Sequence, residues 1–234
     1  MSTRPHAEAA PFAAAPTRLF PLTRHLSYRL TGVLVRTPLT PNAITGLSLA
    51  AGLAGAGCFA AGTWGWGIAG GMLLVLCYTL DNCDGEIARI KRLSSEWGAR
   101  FDDLADWLVD SAFFAALGYG TASATGERLW LWLGVAAAAG ATIDYAVDLV
   151  FHARTKKDPG QETRAQQAAA ERRPEDWIDW LIYIFHKLSR ADFCVIVLAL
   201  AVAGVAWILL PLGAIGAQAY WLTDLFRRAR GWHT

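Results

Sequence analysis

Two long apolar runs of this chain are separated by an acidic stretch, residues 81–106, which carries Asp81, Asp84, Asp102 and Asp106. On an α-helix, Asp81 and Asp84 share one face, and Asp102 and Asp106 lie one turn apart in a single row. Two helices joined by a short turn would therefore bring four carboxylates together. The alternative is a solvated loop whose acids are neutralised by the basic residues of the same stretch, Arg89, Lys91, Arg92 and Arg100.

Carboxylates clustered beside a bilayer repel one another, and the repulsion is costly unless cations neutralise it. Hard divalent ions that prefer oxygen ligands, Mg²⁺ or Mn²⁺, suit that role. Asp81, Asp84 and Asp102, with Asp106 shared, could hold two such ions about 4 Å apart. Two ions can bind a pyrophosphate and stabilise a leaving phosphate, while one carboxylate accepts a proton from an attacking hydroxyl. The stretch is therefore a candidate site for metal-dependent phosphoryl transfer.

The composition indicates a membrane protein rather than one or two soluble domains. Apolar residues make up 54% of the 234 residues, 11 residues are tryptophan, and the charges are confined to a few segments. Long runs of Ala, Leu, Val, Gly and Trp are typical of segments that lie in lipid. The net charge of +1, without a basic block, gives no indication of a nucleic-acid partner. The four cysteines form no CxxC pair or disulfide framework, and we expect them to be small core residues.

The expected fold is all-α and integral to the membrane, with six transmembrane helices after an N-terminal interfacial amphipathic helix. Residues 1–17 are rich in Ala and Pro and are predicted to be disordered. Residues 18–40 place leucines on one sector and arginines beside it, as in a helix that lies at the membrane surface. Residues 41–230 are the six-helix catalytic domain. Its first four spans are predicted at 42–62, 64–90, 97–122 and 129–151.

The second half of the chain holds a polar segment and the last two spans. Residues 152–188 are predicted to be a cytoplasmic loop, within which residues 177–188 have the spacing of a second interfacial helix. Residues 189–226 are long enough for two short or tilted spans. The turn between these spans is expected at Gly204, with Pro211 as the alternative break.

Lysines and arginines predict the orientation of the spans. Of the 21 in the chain, all but Arg128 fall in segments on the side of the two termini. Because positive residues accumulate in cytoplasmic segments, this side is assigned to the cytoplasm. The candidate site should then face the cytoplasm from the inner membrane, where nucleotides and Mg²⁺ are available.

The acidic stretch also resembles a known family. It contains the string D-x2-D-G-x2-A-R-x8-G-x3-D-x3-D, the signature of the CDP-alcohol phosphotransferases. Each fixed position is filled, by Asp81, Asp84, Gly85, Ala88, Arg89, Gly98, Asp102 and Asp106. The resemblance implies six transmembrane helices around a polar cavity open to the cytoplasm, usually in a homodimer. It also implies displacement at the β-phosphorus of a CDP-linked alcohol by a second alcohol, with release of CMP.

The resemblance implies roles for the acids. In the family the last aspartate of the motif is the base, and the first three are chiefly metal ligands. These roles correspond here to Asp106 as base and to Asp81, Asp84 and Asp102 as ligands.

Nucleotide contacts are expected in two segments. The first is the signature motif. The second segment, residues 40–45, resembles the TPN-x-IT segment that opens the first span of many family members and lies near the nucleotide in those proteins. The candidates are Gly85, Ala88, Arg89 and Gly98 in the motif, and Pro41, Asn42 and Thr45 in the second segment. Each has a plainer interpretation: helix packing for the glycines, a salt bridge to an aspartate for Arg89, and helix-start chemistry for the second segment.

Acceptor recognition is expected at the start of the fifth span and within the fourth. Some members that use inositol phosphate have an arginine near the start of the fifth span, which makes Arg190 a candidate. The alternative is that Arg190 is one of the basic residues at the cytoplasmic membrane interface and has no contact with the acceptor. Asp144 and Asp148 lie one turn apart in the fourth span and should face the cavity, because carboxylates are costly near hydrocarbon. They could bind acceptor hydroxyls or pair with Arg154 and Lys187.

The sequence therefore predicts a membrane CDP-alcohol phosphotransferase of phospholipid synthesis that depends on Mg²⁺ or Mn²⁺. Its substrates would be CDP-diacylglycerol with a water-soluble alcohol, or a CDP-linked polar alcohol with a lipid acceptor. The two motifs are nearer to the inositol-type and glycerophosphate-type members, although Trp107 stands where many members have a basic residue. A divalent metal-ion carrier is the alternative from another class, since acidic spans also mark ion pathways. The clustering of the acids at one membrane face argues against a carrier.

Overall fold

The computed structural model describes residues 22–154 and 192–229, and within these ranges all regular structure is helical. In chain order the elements are α1 (Leu22–Leu34), α2 (Pro41–Ala60), α3 (Trp64–Lys91), α4 (Glu96–Thr125), α5 (Arg128–Arg154), α6 (Phe193–Val202), a 3₁₀ turn (Ala206–Ile208) and α7 (Leu209–Ala229). The predicted all-α fold is confirmed for this part of the chain. The predicted disordered N-terminus, the second interfacial helix and most of the cytoplasmic loop lie outside the described residues.

Side-chain caps and one left-handed residue define the helix ends around the acidic stretch. Thr40 caps α2 by accepting a hydrogen bond from the backbone N–H of Ala43 (3.3 Å), and proline occupies the first turn. α3 ends where Arg92 adopts the left-handed conformation, with φ 56°. Ser95 caps α4 by accepting a hydrogen bond from the N–H of Gly98 (3.0 Å). Residues 92–95 alone therefore link α3 to α4.

Small residues allow close contact between neighbouring helices. α2 packs against both α3 and α4, α4 packs against α5, and α5 packs against α7. A Cβ atom on Gly55 of α2 would lie 3.0 Å from the carbonyl oxygen of Gly70 in α3, and one on Gly118 of α4 would lie 2.9 Å from Cα of Gly134 in α5. Contacts of this kind are typical of helices that pack within membranes, where small side chains let backbones approach.

Two apolar clusters involve α3, one with residues outside the acidic stretch and one with Cys83 and Ile87 inside it. The main core is centred on Phe113, whose ring meets those of Phe59 and Phe193 edge-on, with centroids 5.1 and 5.9 Å apart. A smaller cluster of Ile44, Cys83 and Ile87 packs against leucines of α1 and of the α1–α2 linker. The acidic ends of α3 and α4 are thereby held in place by apolar packing.

Two helical stretches, Pro41–Ala60 and Arg128–Val150, are long and apolar enough to cross a membrane, with mean hydropathies of 1.6 and 1.4. Phe193–Val202 and Ala206–Leu222 are shorter apolar stretches. Large apolar side chains are exposed on the outside of the bundle, among them Trp64, Met72 and Ile215. These features fit a membrane protein, and the arrangement in six spans stays a prediction.

The turn predicted at Gly204 is confirmed, since α6 ends at Val202 and Gly204 has φ 74°. The alternative break at Pro211 is wrong, because Pro211 lies in the first turn of α7. A proline is tolerated there because the N–H groups of the first turn have no partner within the helix.

The N-terminal helix ends before the predicted boundary at residue 40. It ends at Leu34, where the hydroxyl of Thr37 donates to the carbonyl oxygen of Leu34 (2.6 Å) and Pro38 disfavours further helix. A distant part of the chain contacts its first described residues, because the buried carboxylate of Asp192 accepts hydrogen bonds from the backbone N–H groups of Leu22 (3.0 Å) and Thr23 (3.1 Å).

The face that α1 turns towards the protein carries hydroxyl groups as well as leucines, since Leu30 and Leu34 pack against the smaller apolar cluster. Thr23, Ser27 and Thr31 are buried, whereas Leu26 and Val33 are 45% and 63% exposed. The apolar sector is therefore divided: Leu26 and Val33 point outward, as expected for a helix whose apolar side lies against lipid, whereas Leu30 packs on the protein. The hydroxyl row is small enough to let α1 pack closely on α3.

Candidate active site

Three carboxylates of the acidic stretch meet between α3 and α4. One oxygen from each of Asp81, Asp84 and Asp102 lies within 4.8 Å of the corresponding oxygens of the other two. Because residues 92–95 alone link the two helices and their carboxylates meet, we place residues at equal distances from that link at similar depth. Asp84 and Asp102 form the layer nearest the link, and Asp81 lies about one turn deeper.

Asp84 is also held from α2. The hydroxyl of Thr45 donates a hydrogen bond to Oδ2 of Asp84 at 2.5 Å, and both side chains are buried. Thr45 belongs to the second segment that the resemblance singled out. The structure therefore brings the two segments into contact through a carboxylate and a hydroxyl.

The three carboxylates suit a divalent cation. Among the described residues, Oδ1 of Asp102 is buried and has no hydrogen-bond partner. A buried acceptor without a partner is unfavourable, and an adjacent anion adds repulsion. An all-oxygen donor set with an unsatisfied buried oxygen fits Mg²⁺ or Mn²⁺ better than a soft metal.

Asp106 lies one turn beyond Asp102 on α4, and its side chain is exposed. It is outside the group of three carboxylates. Its predicted role as a shared ligand therefore stays a prediction. An exposed carboxylate next to the group is free to meet a substrate hydroxyl, as a base must be.

A cavity of about 190 Å³ opens beside the carboxylates, between the start of α2, the end of α3 and the start of α4. All seven residues predicted to contact the nucleotide line it. The lining consists of Pro41, Asn42, Thr45, Asp84, Gly85, Ala88, Arg89, Leu93, Ser94, Ser95, Gly98, Ala99 and Asp102. The structure thus joins the two sequence segments in one concave site.

The two cavity glycines differ in what a side chain would meet. A Cβ on Gly85 would meet only the Arg89 guanidinium, at 3.6 Å, an ordinary contact distance. Protein packing therefore gives no reason for glycine at position 85, and the space that it leaves open belongs to the cavity. A Cβ on Gly98 would lie 3.0 Å from Oδ1 of Asn42, so there the close approach of α2 also favours glycine.

Several residues of the site were not predicted from the sequence. Leu93, Ser94, Ser95 and Ala99 line the cavity, and Ser95 could have been found as the helix cap that precedes Glu96. For Lys91 the sequence suggests only a role as a partner for the acids. Its Nζ instead donates to the carbonyl oxygens of Thr37 (2.8 Å) and Leu39 (2.9 Å), the linker that leads into α2.

The two predicted acceptor residues that the structure describes do not line this cavity. Asp144 and Asp148 are half-buried on α5 and are not among the lining residues, and Arg190 lies outside the described part of the chain. Trp107, which stands at the position where many family members have a basic residue, faces α5. Its indole N–H donates to the Thr142 hydroxyl (3.2 Å), and its ring stacks on Tyr145 with centroids 5.1 Å apart.

Comparison with known proteins supports the resemblance. The chain is 39% identical over 127 residues to the bifunctional IPC transferase and DIPP synthase of Rubrobacter xylanophilus, an alignment that covers 53% of this chain and 28% of that protein. It is 27% identical over 171 residues to the protein of the same name from Thermococcus kodakarensis, covering 73% of this chain and 38% of that protein. The chain thus spans less than two-fifths of the length of either relative.

The fold is similar to that of phosphatidylinositol phosphate synthase of Mycobacterium tuberculosis. The crystal structure with CDP-DAG bound superposes with a TM-score of 0.51 at 21% identity, covering 86% of this chain and 92% of that one. The apo form gives the same TM-score at 22% identity, covering 85% and 95%. The family model for CDP-alcohol phosphatidyltransferase matches residues 38–219, which include both segments of the candidate site. The chain therefore belongs to the CDP-alcohol phosphatidyltransferase family.

Proposed function

We propose that this protein transfers a substituted phosphate from a CDP-linked alcohol to an acceptor hydroxyl in phospholipid synthesis, and releases CMP. The observation that carries the proposal is the convergence of two separate segments on one cavity. Residues of the 41–45 segment and of the 84–102 segment line the same walls, and a group of three carboxylates lies at its edge. Family membership supports the same chemistry.

The carboxylates would hold the cofactor. Asp81, Asp84 and Asp102 are the ligands proposed for Mg²⁺ or Mn²⁺, with Asp106 shared when two ions bind. When bound, the ions neutralise the negative charge of the pyrophosphate and of the departing phosphate. Thr45 fixes the orientation of Asp84 through its hydrogen bond, so that one carboxylate oxygen stays directed into the site.

The CDP group would lie in the cavity beside these acids. Gly85 leaves space against the wall of α3, and Arg89 supplies a guanidinium that can bind a phosphate through two N–H groups. Asn42 and Ser95 offer polar groups on the walls formed by α2 and by the link. The remaining alcohol of the donor would extend from this cavity towards the bilayer.

Asp106 is the proposed base. It would accept the proton of the acceptor hydroxyl, whose oxygen then forms a bond to the β-phosphorus of the donor. The bond between that phosphorus and the bridging oxygen breaks, and CMP leaves with the electron pair. The exposure of Asp106 supports this role, because the base must reach a hydroxyl that enters from outside the carboxylate group.

CDP-diacylglycerol is the proposed donor, with an inositol-phosphate or glycerol-phosphate type of acceptor. The similarity to a phosphatidylinositol phosphate synthase whose structure contains CDP-DAG supports this arrangement. A CDP-linked polar alcohol with a lipid acceptor is the second arrangement that the same chemistry allows. We further propose that the chain spans the membrane six times and works as a homodimer, as the resemblance implies. The site is proposed to open to the cytoplasm, the side that the distribution of lysine and arginine favours.

The test is turnover by the purified full chain in lipid nanodiscs with Mn²⁺ or Mg²⁺. Radiolabelled CDP-diacylglycerol is supplied with each acceptor in turn, and both CMP release and the lipid product are measured. The expected result is metal-dependent CMP release with one class of acceptor, lost on addition of EDTA. If every CDP-lipid and CDP-polar alcohol is inert, and the protein instead moves Mg²⁺ into liposomes, the enzyme proposal fails and a carrier is favoured.

A further inference from the structure

A hydrogen bond joins α3 to α4 below the carboxylates. The hydroxyl of Tyr78 donates to Oδ1 of Asp110 at 3.3 Å, and both side chains are half-buried. Tyr78 precedes Asp81 by three residues on α3, and Asp110 follows Asp106 by one turn on α4. Neither residue belongs to the signature or lines the nucleotide cavity.

The pair completes a series of layers between the two antiparallel helices. Counted from the 92–95 link, the layers are about 5 Å apart, and each contains one residue of α3 and one of α4. In order of depth the pairs are Asp84 with Asp102, Asp81 with Asp106, and Tyr78 with Asp110. The first two layers carry the proposed metal ligands and base. Beneath the third layer the apolar core begins, with Cys77 and Phe113 among its members.

The spacing of α3 and α4 depends on few direct links. α2 packs against both helices, whereas α3 and α4 make few contacts with each other. The proposed ligands are nonetheless divided between them, since Asp81 and Asp84 lie on α3 and Asp102 on α4. Metal–oxygen distances must be right to within about 0.2 Å. Small changes in helix spacing should therefore change the affinity for the ion.

We propose that Tyr78 and Asp110 are positioning residues whose hydrogen bond fixes the separation of α3 and α4 one layer below the ions. The bond lies one layer below Asp81 and Asp106 and connects the same two helices. It therefore acts on the ligands through the backbone, without touching the ions. The inference rests on the proposed function, because it takes the carboxylates to be ligands of divalent ions.

Two single variants separate the hydrogen bond from the charge. Tyr78→Phe removes the hydroxyl but keeps the ring in the core and the charge of Asp110. Asp110→Asn removes the charge but keeps an oxygen that can accept from the Tyr78 hydroxyl. Trp64→Phe is the matched control, because it removes a hydrogen bond between α3 and α6, from the indole N–H to the carbonyl oxygen of Val202 (3.0 Å), at the far end of α3.

The measurement is Mn²⁺ affinity of the full chain in detergent, from the free-Mn²⁺ signal in electron paramagnetic resonance. Tyr78→Phe should weaken binding about tenfold, the size of effect seen when partners of metal ligands are lost, and Asp110→Asn should weaken it less. Trp64→Phe should bind like the unaltered chain. At saturating Mn²⁺, the KM of Tyr78→Phe for the CDP substrate should stay within about twofold of the unaltered value.

Unaltered Mn²⁺ affinity in Tyr78→Phe would overturn the positioning role, whatever Asp110→Asn does. A tenfold loss in Trp64→Phe would overturn it too, because the effect would then reflect general loosening of α3. Failure of the proposed function looks different: the unaltered chain would bind Mn²⁺ yet release no CMP from any CDP substrate.

Discussion

The hydroxyl of Thr45 in α2 donates a hydrogen bond to the carboxylate of Asp84 in α3 (2.5 Å), and both side chains are buried. This hydrogen bond joins residues 39 positions apart and connects the cavity wall to the carboxylate group. A carboxylate oriented in this way cannot rotate freely to meet an ion. The affinity for the ion should therefore depend on a residue that never touches it.

Thr45→Val should raise the Mn²⁺ concentration required for half-maximal CMP release about tenfold, because valine keeps the shape of threonine but cannot donate to Asp84. Thr45→Ser retains the hydroxyl and should restore most of the loss. The measurement is the Mn²⁺ dependence of turnover. Equal Mn²⁺ dependence in the valine and serine variants would contradict the orienting role.

Asp106→Asn should lower kcat by about 10²–10⁴-fold, since an amide cannot accept the proton of the acceptor hydroxyl. Binding of the CDP substrate should be largely kept, because the group of three carboxylates does not include Asp106. Asp103→Asn is the matched control, an exposed acid three residues earlier on the same helix. Turnover that falls equally in both variants would argue against a specific base.

Asp81→Ala and Asp102→Ala should each abolish the metal-dependent part of CDP-substrate binding, since each removes one of three convergent carboxylates. Isothermal titration calorimetry with and without Mn²⁺ measures that part directly. Glu96→Gln, an exposed acid in the first turn of α4, should behave like the unaltered chain. Wild-type affinity in either aspartate variant would remove it from the ligand set.

Gly85→Ala should raise the KM for the CDP substrate several-fold without loss of thermal stability, because the added methyl group meets only the end of a flexible arginine. Gly98→Ala should lower both affinity and thermal stability, since its methyl group would crowd Oδ1 of Asn42 at 3.0 Å. Thermal unfolding and donor KM are measured on both variants. A stability loss in Gly85→Ala that matches that of Gly98→Ala would assign both glycines to packing.

Lys91→Met should raise the donor KM, because the ammonium group that binds the carbonyl oxygens of Thr37 and Leu39 holds the linker into α2. Loss of that anchor should loosen the wall that carries Asn42 and Thr45. Lys91→Arg, which keeps the donors, should recover much of the affinity. Normal donor KM in Lys91→Met would show that the caps of α2 suffice to hold this wall.

The helices and the carboxylate group could be predicted from the sequence because their signals are local. Asp81 and Asp84 follow helical spacing on α3, as Asp102 and Asp106 do on α4, and Thr40, Pro41 and Ser95 are residue types that begin helices. The orientation of α1 was harder to predict. Its leucines were the visible pattern, yet the face that packs on the protein carries small hydroxyl residues, because close helix packing selects for size as well as for polarity.

The other structural features that the sequence did not predict arise from long-range contacts. Lys91 binds backbone carbonyl oxygens more than 50 residues away, and Asp192 binds the start of α1, and neither partner can be read from neighbouring sequence. Asp110 continues the row of Gly98, Asp102 and Asp106, so its face was visible in the sequence. Its partner Tyr78 could be identified only once α3 and α4 were placed side by side.

The link between α3 and α4 consists of residues 92–95 alone, so the two halves of the proposed ligand set are tethered even when no ion is bound. Ion binding then requires little loss of chain entropy, because the carboxylates are already preorganised. Protein stripped by a chelator should therefore stay folded and regain turnover as fast as Mn²⁺ is supplied, without a slow refolding phase.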